Sequence, residues 1–273
     1  MSRHTFTLLS ALALLAVGVV AYLMFRPEPP PAELPAPVPV AAPPSAPVAS
    51  TPESDPEVVA SANEPVPDAT VTLPKLGEAG PTVKDLLTGL VGKQGVLTML
   101  QTDGFLQRLV ATVYNLTRPH APARMWPVNP TPGEFSVDAA GRIAPDNPAR
   151  YRAFVRFVEG VDPAAAAALY RRLYPLLQQA YQELGYPNRR FHGRLLAVID
   201  HLLATPPREG PLAVTLTEVK GPISPERPWV RFEFADPQLQ ALSSGQKTML
   251  RIGDENRRRL ADWLRRFRAQ IER

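Results

Sequence analysis

The sequence predicts a mainly α-helical domain with one small β-hairpin, an α+β arrangement, preceded by a transmembrane helix and a disordered proline-rich linker. Three observations predict this organisation. Residues 5–25 carry no charge, 15 of the 33 prolines of the 273-residue chain crowd into residues 27–74, and the remainder repeats apolar residues at helical spacing. We therefore divide the chain into an anchor (1–26), a linker (27–74) and a mainly helical domain (75–273).

The anchor is predicted to be one membrane-spanning helix. Residues 5–25 form a helix of about 30 Å if fully helical, which matches the hydrocarbon core of a bilayer. Arg3 and His4 precede the apolar run, and this favours a cytoplasmic N-terminus. We expect an inner-membrane, single-pass protein with a periplasmic C-terminal domain. The alternative is a cleaved signal peptide, with Val19–Ala21 as its small-residue site.

The linker differs from the domain in both composition and charge. Residues 27–72 hold seven acids and no Lys or Arg, whereas from Lys75 onward 28 basic and 19 acidic residues give a net charge of +9. A segment so rich in proline and alanine buries too little apolar surface to offset its ordering entropy, so we expect a disordered, semi-stiff spacer. The sequence thus predicts a basic domain carried on an acidic spacer.

Helices are predicted from the start of the domain onward. Thr82 is a candidate N-cap with Asp85 three residues later, and apolar residues follow at helical spacing. A second apolar run predicts a helix that begins near Asp103 and ends before Pro119. Residues 119–149 predict a loop with at most a short hairpin.

The longest helix is predicted to begin at Asp162, which serves as N-cap while Pro163 takes the first helical position. Its leucines stay on one face across Pro175, which favours one kinked helix that ends at Gly185. The alternative is a division, with a new helix that begins at Pro175.

The rest of the domain predicts two hairpins and further helices. A second amphipathic helix stops at Pro206 and completes an αα-hairpin. Two alternating runs around Val214 and Phe232 predict the β-hairpin. Helical spacing then resumes, with Ser243 and Asp254 as candidate N-caps.

Two sets of side chains are candidates for an interaction surface. One edge of the leucine stripe carries three tyrosines, Tyr170, Tyr174 and Tyr181. They border the core or form the aromatic wall of a groove for an extended ligand. The C-terminal helix sets an apolar stripe among six arginines, which include Arg258, Arg265 and Arg266. Such a helix closes a core or lies on an anionic membrane surface.

Few residues suggest chemistry. The absence of cysteine excludes disulfides, thiolate nucleophiles and zinc–thiolate sites. His192 and His201 are nine residues apart in one predicted helix, so they lie on opposite sides of it and do not share a metal through it. Ser244 and Lys247 match the Ser-x-x-Lys of cell-wall acyl-enzymes, but the partner motifs are missing. We therefore predict no catalytic, metal-binding or cofactor-binding residue.

Three stretches carry a resemblance to a known family. They are "RYRAFVRFVEGVD", "LYRRLYPLLQQAYQELGYPNRRFHGRLLAVIDHLLATP" and "FEFADPQLQALSSGQKTMLRIGDEN". They resemble a bacterial family known only as domain of unknown function 3014, over roughly residues 73–270. The resemblance implies a membrane segment, a low-complexity spacer and this domain, and it implies no activity. The chain departs from the family at Tyr114, where an acidic residue is usual, and in "LPKLGEAG", where Ser-Asp is usual.

We expect a non-enzymatic, membrane-anchored periplasmic module that binds or scaffolds in the cell envelope. Its expected partners are the membrane and an envelope protein or peptidoglycan, and its topology argues against nucleic acid. One alternative is a hydrolase of peptidoglycan or glycan that uses two carboxylates held about 5–10 Å apart. A second alternative is a tether that holds anionic membrane surfaces through the basic C-terminal helix.

Overall fold

The computed structural model describes Pro65 and residues 73–208, 210–217 and 227–273, all within one compact unit. The predicted anchor and nearly all of the predicted linker lie outside these residues. Among the residues described, no helix is both long and apolar enough to cross a membrane.

The predicted mainly helical fold with one small β-hairpin is confirmed for the described ranges. The α-helices there are α1 (Gly80–Met99), α2 (Phe105–Asn115), α3 (Arg152–Glu159), α4 (Pro163–Glu183), α5 (Phe191–Leu203), α6 (Pro237–Gln240), α7 (Ser244–Arg251) and α8 (Asp254–Ile271). Strands β1 (Val214–Leu216) and β2 (Phe232–Phe234) pair antiparallel, with Val214 opposite Phe234. Short 3₁₀ helices lie at Leu76–Glu78, Ala123–Met125, Asn147–Tyr151 and Pro228–Arg231.

Helix α1 departs from the predicted start at Thr82. It begins at Gly80 with a proline in the first turn, and no side chain caps it. The fixed φ of Pro81 suits a first turn and needs no N–H there, so the helix begins before the expected cap. Gly92 then breaks the helix with a φ of 75°, a conformation that favours glycine.

Helix α4 confirms the predicted cap and continuity. The Asp162 carboxylate accepts hydrogen bonds from the backbone N–H groups of Ala164 and Ala165. The helix passes through Pro175 without division and ends at Glu183. Pro175 is exposed, so its ring faces solvent rather than the core.

The main core lies between α1, α2, α4, α5 and α8. Helices α4 and α5 form the predicted αα-hairpin, and α8 packs against α3, α4 and α5. Its largest fully buried side chains include Tyr181, Phe191 and Leu177. The predicted apolar stripe of α8 is part of this core, because Leu264 and Phe267 pack against it and Ile271 is 3% exposed.

A smaller cluster joins the β-hairpin to α6 and α7. It contains Ile143, Val214, Phe234, Leu239 and Leu250. The loop 119–149 contributes to it through single antiparallel bridges, which include Val137 with Ile143, close to the short hairpin that the sequence predicts.

The N-termini of α7 and α8 are formed differently. The Ser243 hydroxyl accepts from the N–H of Gln246, as predicted. Gly253, with a φ of 83°, is the N-cap of α8, so Asp254 is its first helical residue rather than the predicted cap. A Cβ at Gly253 would lie 2.6 Å from Pro148, so both the backbone and the packing require glycine.

Candidate functional site

The three predicted tyrosines lie inside the fold. Tyr170, Tyr174 and Tyr181 are 7%, 4% and 1% exposed. The Tyr170 hydroxyl lies 3.0 Å from Nδ1 of His192, and the Tyr174 hydroxyl donates to Gln178 across 3.4 Å. This placement fits the first of the two predicted roles, a border of the core. The role of the three tyrosines in an interaction surface stays a prediction.

The three predicted arginines are exposed, but two of them pair with acids of their own helix. Arg258 lies 3.6 Å from the carboxylate of Asp254, and Arg265 lies 2.5 Å from that of Asp262. Arg266 donates to the backbone carbonyl of Asp262. The apolar stripe of α8 is part of the core, so the surface that this helix exposes is polar. Its positive charge is partly neutralised by the two ion pairs.

A second basic region lies where α2, α4 and α5 meet, and sequence reasoning did not single it out. Its centre is Tyr114 near the C-terminal end of α2. The guanidinium groups of Arg118 and Arg194 lie 4.4 and 4.9 Å from the centroid of the Tyr114 ring. Such contacts attract a cation to the face of an aromatic ring. We call Tyr114, Arg118, Tyr181, Tyr186 and Arg194 the basic aromatic cluster.

Arg194 joins the helices of the cluster. It is 3% exposed, and its guanidinium donates to the backbone carbonyl of Tyr114 at 2.8 Å and to the hydroxyl of Thr117 at 2.6 Å. A buried guanidinium is costly unless its donors are satisfied, so these bonds fix α5 against the end of α2.

The three tyrosines of the cluster lie side by side. The Tyr186 ring lies 4.6 Å from the Tyr114 ring and 5.0 Å from the Tyr181 ring, both measured between centroids. Burial, and next the neighbouring Tyr114 hydroxyl, raise the pKa of Tyr186 to about 12. The phenol therefore stays neutral in the physiological range.

The turn between α4 and α5 forms the outer rim of the cluster. Gln178 braces it, because its amide nitrogen donates to the Arg189 carbonyl and its oxygen accepts from the Phe191 N–H. Arg189 and Arg190 are exposed on this turn, and Leu184 is 41% exposed beside them. The rim is thus a solvent-facing surface with cationic and apolar groups, and the hydrogen bonds of Gln178 fix its backbone.

The electrostatics of the cluster favour an anion. Residues 114–124 and 184–194 together contain five arginines, two histidines and no acid. The N-terminus of α5 is the positive end of its helix dipole and adds to the positive potential of the cluster. Arg190, His192 and Arg194 lie at this end, where helices usually place acidic residues. Planar guanidinium groups suit carboxylates. The sequence signal for this cluster was the absence of acidic residues from 114–124 and 184–194.

The Ser-x-x-Lys pair is part of the structure of α7. The Ser244 hydroxyl donates to the Asn115 carbonyl, and the Lys247 ammonium donates to the Gln240 carbonyl at 3.1 Å. Burial lowers the pKa of Lys247. Each side chain is thus bound to backbone rather than to the other, and neither is placed as in an acyl-enzyme.

A serine and a histidine also meet near this point. Nε2 of His201 lies 2.8 Å from the hydroxyl of Ser243, which also caps α7. Burial lowers the pKa of His201. Ser243 is only 7% exposed, so a substrate would not reach its hydroxyl in this conformation. In the described ranges, no group of three or more His, Asp or Glu residues is placed to hold a metal ion.

Comparison with known proteins gives one match. The model of a family described as "Protein of unknown function (DUF3014)" matches residues 105–268, which include the whole basic aromatic cluster. No curated protein and no solved structure matches the chain. Because the match covers more than half of the chain and agrees with the resemblance of the three stretches quoted above, the chain belongs to the DUF3014 family.

Proposed function

We propose that this chain is a non-enzymatic binding module of the cell envelope. Residues 1–26 hold it in the inner membrane, residues 27–74 act as a spacer, and the helical domain lies in the periplasm. Its ligand is a carboxylate-bearing peptide, which either belongs to peptidoglycan or is an acidic segment of an envelope protein. The ligand binds at the basic aromatic cluster.

The observation that carries the proposal is the pair of guanidinium groups on Tyr114. Arg118 is exposed and Arg194 is buried, so one cation meets a ligand at the surface while the other holds the site in shape. Arg189 and Arg190 extend the positive surface along the rim. Preorganised guanidinium groups lose little conformational freedom on binding a carboxylate, and this favours recognition.

The hydrolase alternative has less support. A general acid needs a raised pKa, but hydrogen bonds from Arg142 lower the pKa of Asp138, and hydrogen bonds from Arg259 lower the pKa of Glu159. Two surface cavities, of about 340 and 280 Å³, each contain one carboxylate. These are Asp162, which caps α4, and Asp254, which pairs with Arg257. Neither cavity holds the carboxylate pair that glycoside cleavage requires.

The tether alternative also has less support. A membrane-surface helix inserts its apolar stripe into lipid, whereas the stripe of α8 packs on the core. Arg259 and Arg268 on the same helix pair with Glu159 of α3 and Asp200 of α5. Two of the six arginines on this helix are thus paired with other helices of the domain.

The placement in the envelope is tested with alkaline phosphatase fused after Arg273, because this enzyme is active only outside the cytoplasm. We expect an active fusion that stays with the membranes after alkaline carbonate washing. An inactive fusion or release by carbonate would refute the topology. A mature N-terminus at Tyr22 would show that the segment is cleaved instead of retained.

Ligand binding is tested with the full chain in detergent micelles. Two probes separate the sources of carboxylate: peptidoglycan sacculi, and a synthetic glutamate-rich peptide. We expect Arg118→Glu and Arg190→Glu each to weaken binding to the preferred probe about ten-fold, as for the loss of one charge-assisted hydrogen bond.

The matched control is Arg265→Glu, which makes the same charge change at an exposed site on α8. We expect it to change affinity less than about two-fold, because exposed charges at a distance are screened. Equal losses from Arg190→Glu and Arg265→Glu would mean that net charge alone governs binding. No binding of either probe would reject the cluster as a carboxylate site.

A further inference from the structure

We propose that the cavity beside the junction of α7 and α8 binds a small monocarboxylate with an apolar body, and that Arg251 holds its carboxylate. Three parts of the chain form the walls of this cavity: the loop 143–148, the segment that leads into β1, and the α7–α8 junction. The inference goes beyond the proposed function, because no residue of the basic aromatic cluster is among those that line the cavity.

The size and lining of the cavity suit a small apolar molecule. Its volume is about 280 Å³. An apolar cavity of about 150 Å³ is large enough to bind benzene, so this one has room for a ring or a short chain together with a carboxylate. Most of its lining is apolar and includes Ile143, Pro145, Pro148, Pro211, Leu212 and Leu250.

Hydrogen bonds hold the walls of the cavity together. The backbone N–H of Ile143 donates to the carbonyl of Leu212 at 2.8 Å, which ties the loop to the segment before β1. The side-chain amide of Asn256 donates to the carbonyl of Pro148 at 2.8 Å, which ties the same loop to α8. The cavity is therefore formed before a ligand enters, and binding requires little rearrangement of the backbone.

Arg251 brings a desolvated positive charge to this apolar lining. Its guanidinium lies 5.2 Å from the centroid of the Phe234 ring and 5.9 Å from that of Phe135, and it donates to the Phe232 carbonyl at 2.6 Å. Its Nε is buried without a hydrogen-bond partner. Burial lowers the pKa of Arg251, yet a guanidinium stays protonated in proteins. A charge so placed is stabilised by a carboxylate in the adjoining cavity.

The acids and bases of the lining leave this charge uncompensated. Asp254 also lines the cavity, but its carboxylate pairs with Arg257 at 2.6 Å and with Arg258 at 3.6 Å. Within the described ranges, no carboxylate forms an ion pair with Arg251. Arg208, which is exposed, adds a second guanidinium to the lining. The cavity thus combines apolar walls with an excess of positive charge.

The test uses the full chain in detergent micelles at neutral pH and follows the methyl NMR signals of Ile143, Leu212 and Leu250. Three probes are compared: 3-phenylpropionate, its neutral counterpart 3-phenylpropanamide, and acetate. We expect 3-phenylpropionate to shift the three signals saturably. The amide and acetate should each bind at least about ten-fold more weakly, because the amide lacks the charge and acetate lacks the apolar body.

Arg251→Gln removes the charge from the wall, and we expect it to weaken binding of 3-phenylpropionate at least about ten-fold. The matched control is Arg171→Gln, which removes another arginine that donates to a backbone carbonyl, that of Gln270, and that does not line the cavity. It should change the affinity less than about two-fold.

The proposal is overturned if 3-phenylpropionate gives no saturable shift of these signals, or if the acid and its amide bind equally well. Equal affinities of wild type and Arg251→Gln would likewise reject Arg251 as the carboxylate partner. The comparison of probes uses the wild-type chain, so it decides the proposal even where Arg251→Gln does not fold. Binding of peptide at the basic aromatic cluster is a separate measurement, and neither result determines the other.

Discussion

Among the glycines in the described ranges, Gly245 has the least space for a side chain. A Cβ there would lie 2.5 Å from Leu202 and 2.8 Å from the backbone carbonyl of Leu116, and a backbone group has little freedom to move away. We expect Gly245→Ala to lower the free energy of unfolding by about 1–3 kcal/mol, the usual effect of overpacking. Urea unfolding followed by circular dichroism measures this loss.

Gly89 provides the control for that prediction. A Cβ at Gly89, inside α1, meets no atom within 4 Å. Gly89→Ala is expected to raise the free energy of unfolding by about 0.5–1 kcal/mol through helix propensity. If both variants change stability by the same amount, close packing at Gly245 is not what requires glycine.

Tyr186 gives a prediction about pH. Its pKa of about 12 in the folded chain lies above the ordinary 10.0, so the unfolded chain loses this proton first as the pH rises. Between pH 10 and 12 the unfolded state binds fewer protons, and the free energy of unfolding falls as the pH increases. We expect Tyr186→Phe to show a shallower fall in that window when urea unfolding is measured at several pH values. Parallel curves for the two proteins would show that Tyr186 is not responsible.

The residue scale also shows the limits of prediction from sequence. The cap at Asp162 could be predicted, because a cap and the N–H groups that it binds are neighbours in the chain. The contact of Tyr114 with Arg194 could not, because it needs α2 and α5 to meet across 80 residues. The burial of Tyr170, Tyr174 and Tyr181 could likewise not be predicted, because it depends on the positions of the helices that cover them.

At the scale of elements, Asp162 sets where α4 begins. Its carboxylate accepts from two backbone N–H groups of the first turn. We expect Asp162→Ala to cost about 1 kcal/mol of unfolding free energy, as for other lost caps, and urea unfolding measures it. Asp103 precedes α2, whose N-cap is Gly104 and has no side-chain cap. Asp103→Ala should thus change stability by less than about 0.5 kcal/mol. An equal loss in both variants would attribute the effect to the helix dipole rather than to the cap.

Helix periods in the sequence predicted long elements better than short ones. Helices α4, α5 and α8 extend over three or more turns, so their apolar stripes define a face. Helix α3 has eight residues, about two turns, which is too short to establish a period by itself. It forms because it packs against α8, and Arg259 of α8 pairs with Glu159 at its end. No local sequence pattern predicts this contact between α3 and α8.

At the scale of the whole molecule, α8 closes the core at the end of the chain. It contacts α3, α4 and α5, and its last residue, Ile271, is 3% exposed within the main core. The apolar stripe of α8 therefore packs in the core, as one of the two predicted roles of this helix requires. Arginines of both helices support this packing, since Arg171 of α4 donates to the Gln270 carbonyl and Arg268 of α8 pairs with Asp200 of α5.

Two truncations test this closure by α8. The first ends the chain after Ile271, and the second ends it after Gln270, so both lose Glu272 and its ion pair with Arg268. They differ only in the buried isoleucine. We expect the second to be less stable than the first by about 1.5–3 kcal/mol, the value of burying one such side chain, in urea unfolding of the two chains. Equal stabilities would mean that the C-terminal turn is frayed in solution and that the core is closed without it.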